Sequence, residues 1–264
     1  MKHSICLETI FTELPFYDRF EAASKAGFEN VEFWSWEDKE ISLIKDLCNK
    51  YALNVASFSG DKQFNLVDVN EQCEYVDFIR KSVDTAKELD CTHLVIHSNA
   101  LGDEGVVVNH FAEIAKSKRL NDALKTLNKL KTIAEQSKIV LVLEALNTVI
   151  DHVGNTLETT CETSDLVRKV NSDYIKILYD VYHMQINEGN IIHTLKNNID
   201  TIDYIHVADV PGRHEPGTGE IHYTNVFQCL KQLNYKGVIG YELFPLTNSY
   251  DAVESIIKLI NEVK

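Results

Sequence analysis

Proline is scarce: four stand among 264 residues, and three of them, at 211, 216 and 245, lie in the last quarter. No proline- or serine-rich linker divides the chain, so a single domain over residues 1–264 is expected. No apolar run approaches the roughly 18 residues of a membrane helix, and the N-terminal stretch lacks the apolar core of a signal peptide. No two of the six cysteines form a C-x-x-C pair, and several sit inside apolar runs. That argues against a disulfide framework and predicts reduced, mostly buried thiols in a cytoplasmic chain. A basic patch is also missing. Acidic residues outnumber basic ones 40 to 26, giving −14, and the densest basic stretch is only Lys116, Lys118 and Arg119. An acidic surface repels phosphate backbones, so no nucleic-acid partner is expected.

What is present is a repeat. A short β-rich run, a loop and a helical stretch recur along the chain. Strands are predicted at 4–7, 30–33, 54–58, 93–97, 139–144, 175–180, 202–206 and 238–242. Helical stretches start near Phe16, Lys39, Asn70, Ser117, Thr163, Asn190, Thr224 and Tyr250. The spacing of Ala123, Leu127, Leu130, Ile133 and Ala134 is helical. Eight strand–helix pairs in 264 residues is the arithmetic of an α/β fold of the (β/α)8 type, a TIM barrel. A doubly wound sheet competes. It normally carries a glycine-rich turn after its first strand, and here Leu7 is followed by Glu8-Thr9-Ile10-Phe11-Thr12.

Active sites of such barrels sit at the C-terminal strand ends. Four consecutive predicted strands end there in a metal-ligating type: Glu144, Asp180, His206 and Glu242. A buried carboxylate must be paired, protonated or metal-bound. Three carboxylates and one imidazole make a hard, oxygen-rich set. That suits Mn²⁺, Mg²⁺ or Co²⁺, and zinc accepts the same ligands. The loop after strand seven carries Arg213, whose planar fork can grip a substrate carboxylate or hydroxyl oxygen. His183 and Asn147 each stand three residues after a ligand, in predicted loops, and His183 can donate to a substrate oxygen. His97, Glu8 and Glu32 are placed on the pocket wall, and Trp34 and Trp36 as a cover or as plain packing.

Three strings then stand out: Leu143-Glu144-Ala145-Leu146-Asn147; Tyr179-Asp180-Val181-Tyr182-His183-Met184-Gln185; and 211–220, Pro-Gly-Arg-His-Glu-Pro-Gly-Thr-Gly-Glu. With Phe11–Phe16 and Ala26–Phe33 they resemble the hydroxypyruvate isomerase family, within the xylose-isomerase-like barrels that include ketose 3-epimerases and inosose-processing enzymes. The resemblance covers nearly the whole chain. It implies a divalent metal on Glu144, Asp180, His206 and Glu242, with Glu144 and Glu242 also moving substrate protons. It further implies His183 and Arg213 on substrate oxygens, and an oligomer. Three positions depart from the isomerase pattern. His206 stands where glutamine is usual, as in the ketose epimerases. Leu243-Phe244-Pro245 lacks a lysine before the proline, and Ser57-Phe58-Ser59-Gly60 replaces histidine and asparagine.

The expected activity is therefore isomerisation of a small α-hydroxy-carbonyl compound by enediolate proton transfer. The substrate would be of the hydroxypyruvate/tartronate semialdehyde or 2-oxotetronate type. Alternatives are a ketose 3-epimerase, an inosose-type dehydratase, a metal-dependent nuclease and a non-catalytic sugar-binding barrel.

Overall fold

The computed structural model describes residues 1–61 and 63–263. Its strands are β1 (Lys2–Cys6), β2 (Asn30–Phe33), β3 (Asn54–Ser59), β4 (His93–His97), β5 (Val140–Glu144), β6 (Ile175–Asp180), β7 (Ile202–His206) and β8 (Val238–Tyr241). Each pairs in parallel with its sequence neighbour, and β8 returns to β1, setting Tyr241 beside Ile5. The sheet is a closed eight-stranded barrel. A doubly wound sheet is excluded.

Outside it lie α1 (Arg19–Lys25), α2 (Ile41–Tyr51), α3 (Gln72–Glu88), α4 (Lys116–Ser137), α5 (Thr160–Val170), α6 (Val181–Asn187), α7 (Ile191–Asn198), α8 (Tyr223–Gln232) and α9 (Ser249–Glu262). Their apolar stripes face the barrel. On α4 the stripe is Ala123, Leu127, Leu130 and Ala134, all buried. Local signals set some of the starts. Thr159 caps α5, its hydroxyl accepting from the Glu162 amide at 3.3 Å, and Asn248 caps α9 through the Tyr250 and Asp251 amides.

The pleat explains where the chemistry falls. Side chains alternate faces along a strand, so residues two apart share one face. A buried apolar plug fills the barrel interior: Ala56, Val95, Val142, Leu178, Tyr204 and Val238. Two residues beyond Val142, Leu178 and Tyr204 stand Glu144, Asp180 and His206, on the same inward face and one layer closer to the C-terminal rim. Val238, Gly240 and Glu242 repeat the pattern on the eighth strand.

The structure shifts a few boundaries. β1 starts two residues before the predicted strand, and Glu242 lies just past the end of β8. One short helix was not expected. His183, placed by sequence in a loop, belongs to α6, which follows β6 without a break. The Asp180 carboxylate accepts from the Tyr182 amide at 2.8 Å and the His183 amide at 3.3 Å, so it nucleates that helix.

Candidate active site

The four rim residues converge. Donor atoms of Asp180, His206 and Glu242 lie within 4.8 Å of one another, as do those of Glu144, Asp180 and His183. His206 joins the halves: its Nδ1 is 3.9 Å from Glu144 Oε1 and 3.5 Å from Glu242 Oε2. All are buried. Among the described residues, Glu144 Oε1 and both ring nitrogens of His206 lack hydrogen-bond partners. Unpaired buried polar atoms of this kind are rare; Glu144 Oε1 faces His206 Nδ1, and His206 Nε2 turns to Glu32. The Arg213 guanidinium spans the same centre, with Nη2 3.2 Å from Asp180 Oδ2 and also bonded to Glu242 Oε2. Donor chemistry and orphaned atoms together fit a divalent cation.

Charge is distributed unevenly. Burial pushes the Asp180 carboxyl up despite the opposing Arg213 charge. Burial also acts to raise Glu242, but Arg213 and His206 outweigh it and hold this carboxyl well below its usual range. For His206 burial works against protonation, yet Glu242 and Glu32 lift it to about 10. His183 moves the other way: burial and the Arg213 charge keep it neutral.

Hydrogen bonds fix the His183 tautomer. The Asn147 Oδ1 accepts from the Ile150 and Asp151 amides at 3.1 and 3.0 Å, so its Nδ2 faces His183. That nitrogen can only donate, hence His183 Nδ1, 2.7 Å away, accepts and Nε2 carries the hydrogen. Nε2 lies 3.5 Å from Asp180 Oδ2. The Asn147 amide also bonds Asp151 Oδ2 at 2.7 Å, so its polar atoms are engaged within the protein.

The ring nitrogens of His97 are engaged as well. Nδ1 is 3.0 Å from Asp61 Oδ1, and Nε2 is 3.2 Å from Glu144 Oε2. Burial disfavours its charge, but Asp61 and Glu144 raise the imidazole to about 10. It therefore grips one Glu144 oxygen and leaves the other turned to the centre. The Tyr75 hydroxyl holds Asp61 at 2.9 Å.

The remaining expected wall residues separate. Trp34, 44% exposed, donates from Nε1 to Glu242 Oε1 at 2.6 Å and so stands at the pocket rim. Trp36 bonds Ser82 Oγ at 2.9 Å and stacks near Phe78, which is packing. Glu8 pairs with Lys39 at 2.9 Å. Glu32 is buried beside His206. Sequence reasoning missed Asp61, Tyr204 and His152. Tyr204 alone carried a signal, standing two residues before His206 on one face of β7. His152, whose Nδ1 donates to the Gly105 carbonyl at 2.7 Å, stacks edge-on against His183 with ring centroids 5.1 Å apart.

A closed parallel barrel with acids and imidazoles at its C-terminal rim defines a broad class of barrel enzymes. Residues 20–261 match the xylose isomerase-like TIM barrel family model, and the chain belongs to that family. The hydroxypyruvate isomerase of Escherichia coli (strain K12) is 28% identical, covering 94% of this chain and 95% of that protein. The 2-oxo-tetronate isomerase of Haemophilus influenzae is 29% identical, covering 92% and 93%. Among solved structures, a Brucella melitensis protein described as an AP endonuclease of family 2 superposes with a TM-score of 0.87 at 23% identity, covering 97% of this chain and 98% of that one. The IolI protein with a bound zinc atom superposes with a TM-score of 0.81 at 20% identity, covering 100% and 98%. These two likenesses speak to the fold.

Proposed function

We propose that the protein is an isomerase of small α-hydroxy-carbonyl acids. It would convert a 3-hydroxy-2-oxo acid of the hydroxypyruvate or 2-oxotetronate type into the 2-hydroxy-3-oxo isomer. The carrying observation is that Glu144 and Glu242 flank one buried imidazole, His206, at 3.9 and 3.5 Å. The names and near-full-length coverage of the two isomerase relatives support the same reading.

Glu144, Asp180, His206 and Glu242 would hold a divalent metal, Mn²⁺ or Mg²⁺ by oxygen content, Co²⁺ or Zn²⁺ by ligand type. Bound there, it supplies positive charge that acidifies the substrate C–H bond. The protein's own groups do the rest. Glu242, kept ionised by Arg213, would take the proton from C3. The electrons of that bond form the enediolate. The O3 proton passes to O2 as the C3 carbonyl forms, and the proton held by the glutamate returns at C2. Atoms balance with no co-reactant. Neutral His183 presents an Nε2–H to a substrate oxygen. Arg213, whose Nε is unpaired, offers its fork to the substrate carboxylate. His97 and Asn147 act indirectly, orienting Glu144 and His183.

Returning the proton to C3 from the opposite face, the role Glu144 is placed for, would epimerise instead. His206 at the strand-seven position favours keeping that second reading. Incubating the metal-loaded protein with hydroxypyruvate and 2-oxotetronate, and identifying products by NMR, tests both. A positional isomer is expected, and Glu242→Gln should lower turnover about 10²–10⁴-fold. Near-normal turnover by that variant would sink the assignment. An epimer, a dehydrated 2-oxo product, or no product would each displace the isomerase reading.

A further inference from the structure

Glu32 is a carboxylate in the wrong company. It sits on β2, 3% exposed, against the buried barrel interior that holds Tyr204. Its Oε2 accepts the Tyr204 hydroxyl, and that oxygen in turn accepts from Ser57 Oγ at 3.1 Å. Its Oε1 has no hydrogen-bond partner of good geometry and lies 3.3 Å from His206 Nε2. The opposite ring nitrogen, Nδ1, faces Glu144 and Glu242. The chain also keeps this space open. A Cβ on Gly240 would stand 2.6 Å from both Glu32 oxygens and 2.8 Å from His206 Cδ2. No residue but glycine leaves room for the carboxylate and the imidazole together.

We infer that Glu32 is a positioning residue for the metal centre: with Tyr204 behind it, it keeps the hydrogen on His206 Nε2, so that it is Nδ1 that gives up its proton to a bound cation and turns its lone pair to the ligand set. This rests on the proposed metal-holding role of His206. The physical reason is general. A carboxylate behind a ligating imidazole fixes its tautomer and ring orientation and makes it more basic, and loss of such a partner typically weakens metal binding about 10–100-fold. Nothing in this role requires Glu32 to touch substrate.

The test uses affinity rather than turnover. The full-length protein is stripped of metal and titrated with Co²⁺, followed by its visible absorption. Glu32→Gln keeps the volume and removes the charge, and should bind Co²⁺ about 10–100-fold more weakly than wild type. Tyr204→Phe frees Glu32 and should weaken binding several-fold in the same direction; it decides the matter if Glu32→Gln does not fold. In zinc-loaded protein labelled with ¹⁵N-histidine, the His206 Nε2–H proton should resonate far downfield, and should move upfield in Glu32→Gln. A merely structural Glu32 would lower the melting temperature and leave that resonance and the affinity alone. Folded variants that bind Co²⁺ within about twofold of wild type would overturn the inference and leave the metal reading standing. Wild-type protein that binds no Co²⁺ would overturn both.

Discussion

Asp180 does two separable jobs. One oxygen, Oδ1, caps α6 through two backbone amides; the other, Oδ2, faces Arg213 and His183. Capping needs an acceptor, and asparagine caps about as well as aspartate. The second job needs charge. Asp180→Asn is therefore expected to keep the melting temperature within a few degrees while metal affinity and turnover fall at least tenfold. Calorimetry and metal titration on the same sample separate the two. Equal affinity in the variant would remove Asp180 from the ligand set. Residues of this kind were partly legible. Glu144, Asp180, His206 and Glu242 stood out because each follows an apolar run at one register. Asp61 and His152 carried no such mark. They reach the site from loops, and only folding brings Asp61 to His97 and His152 to His183.

At the scale of elements, the loop that carries Arg213 is organised by one buried carboxylate. Asp209 accepts from the amides of Val210, Gly217, Gly219 and Ile221 at 2.9–3.0 Å. Gly219 is required there, since a Cβ would lie 2.0 Å from the Val210 carbonyl oxygen. Arg213 itself has φ near 59°, and its carbonyl accepts from the Phe244 amide at 2.8 Å. Asp209→Ala leaves those amides without their acceptor, at about 1–3 kcal/mol for each one that stays dry. The expected outcome is a raised KM as Arg213 loses its fixed place, with a lowered melting temperature; unchanged KM would contradict it.

Helix α4 gives a pH-dependent case. Asp122 is buried between Lys118 and Lys125, at 2.6 and 2.7 Å, and those lysines hold its carboxyl below the usual range. A depressed folded value stabilises the protein above the unfolded pKa of about 3.9. That contribution disappears as pH falls through the lower folded value. Asp122→Asn should melt earlier than wild type at pH 7, and the gap should narrow below about pH 4. A gap independent of pH would mean that packing rather than charge sets it. The element pattern was legible because buried parallel strands and amphipathic helices write two different periods, so the predicted helix starts fall within three residues of those observed. Helix α6 was not legible. It spans seven residues, too few for a stripe, and its N-cap doubles as a site carboxylate.

Across the whole molecule, closure of the barrel gathers Glu144, Asp180, His206 and Glu242 with Arg213, His183 and His97 at one rim. The chain carries a formal charge of −14, and its densest basic stretch is paired locally, Lys116 with Glu158 and Glu162, Lys118 with Asp122. Among the described residues no helix is long and apolar enough to cross a membrane. An acidic exterior around a pocket with one buried arginine favours a small acid over a phosphate backbone. The proposal then stands or falls on proton transfer at carbon. The most direct measurement is NMR of hydroxypyruvate or 2-oxotetronate incubated with metal-replete protein in D₂O. The isomer's signals, with deuterium at C2 to the extent that the glutamate proton exchanges with solvent before its return, are the predicted result, and both fall with Glu242→Gln. Neither isomer nor deuterium at carbon with either substrate would contradict the enediolate account, whatever metal the protein holds.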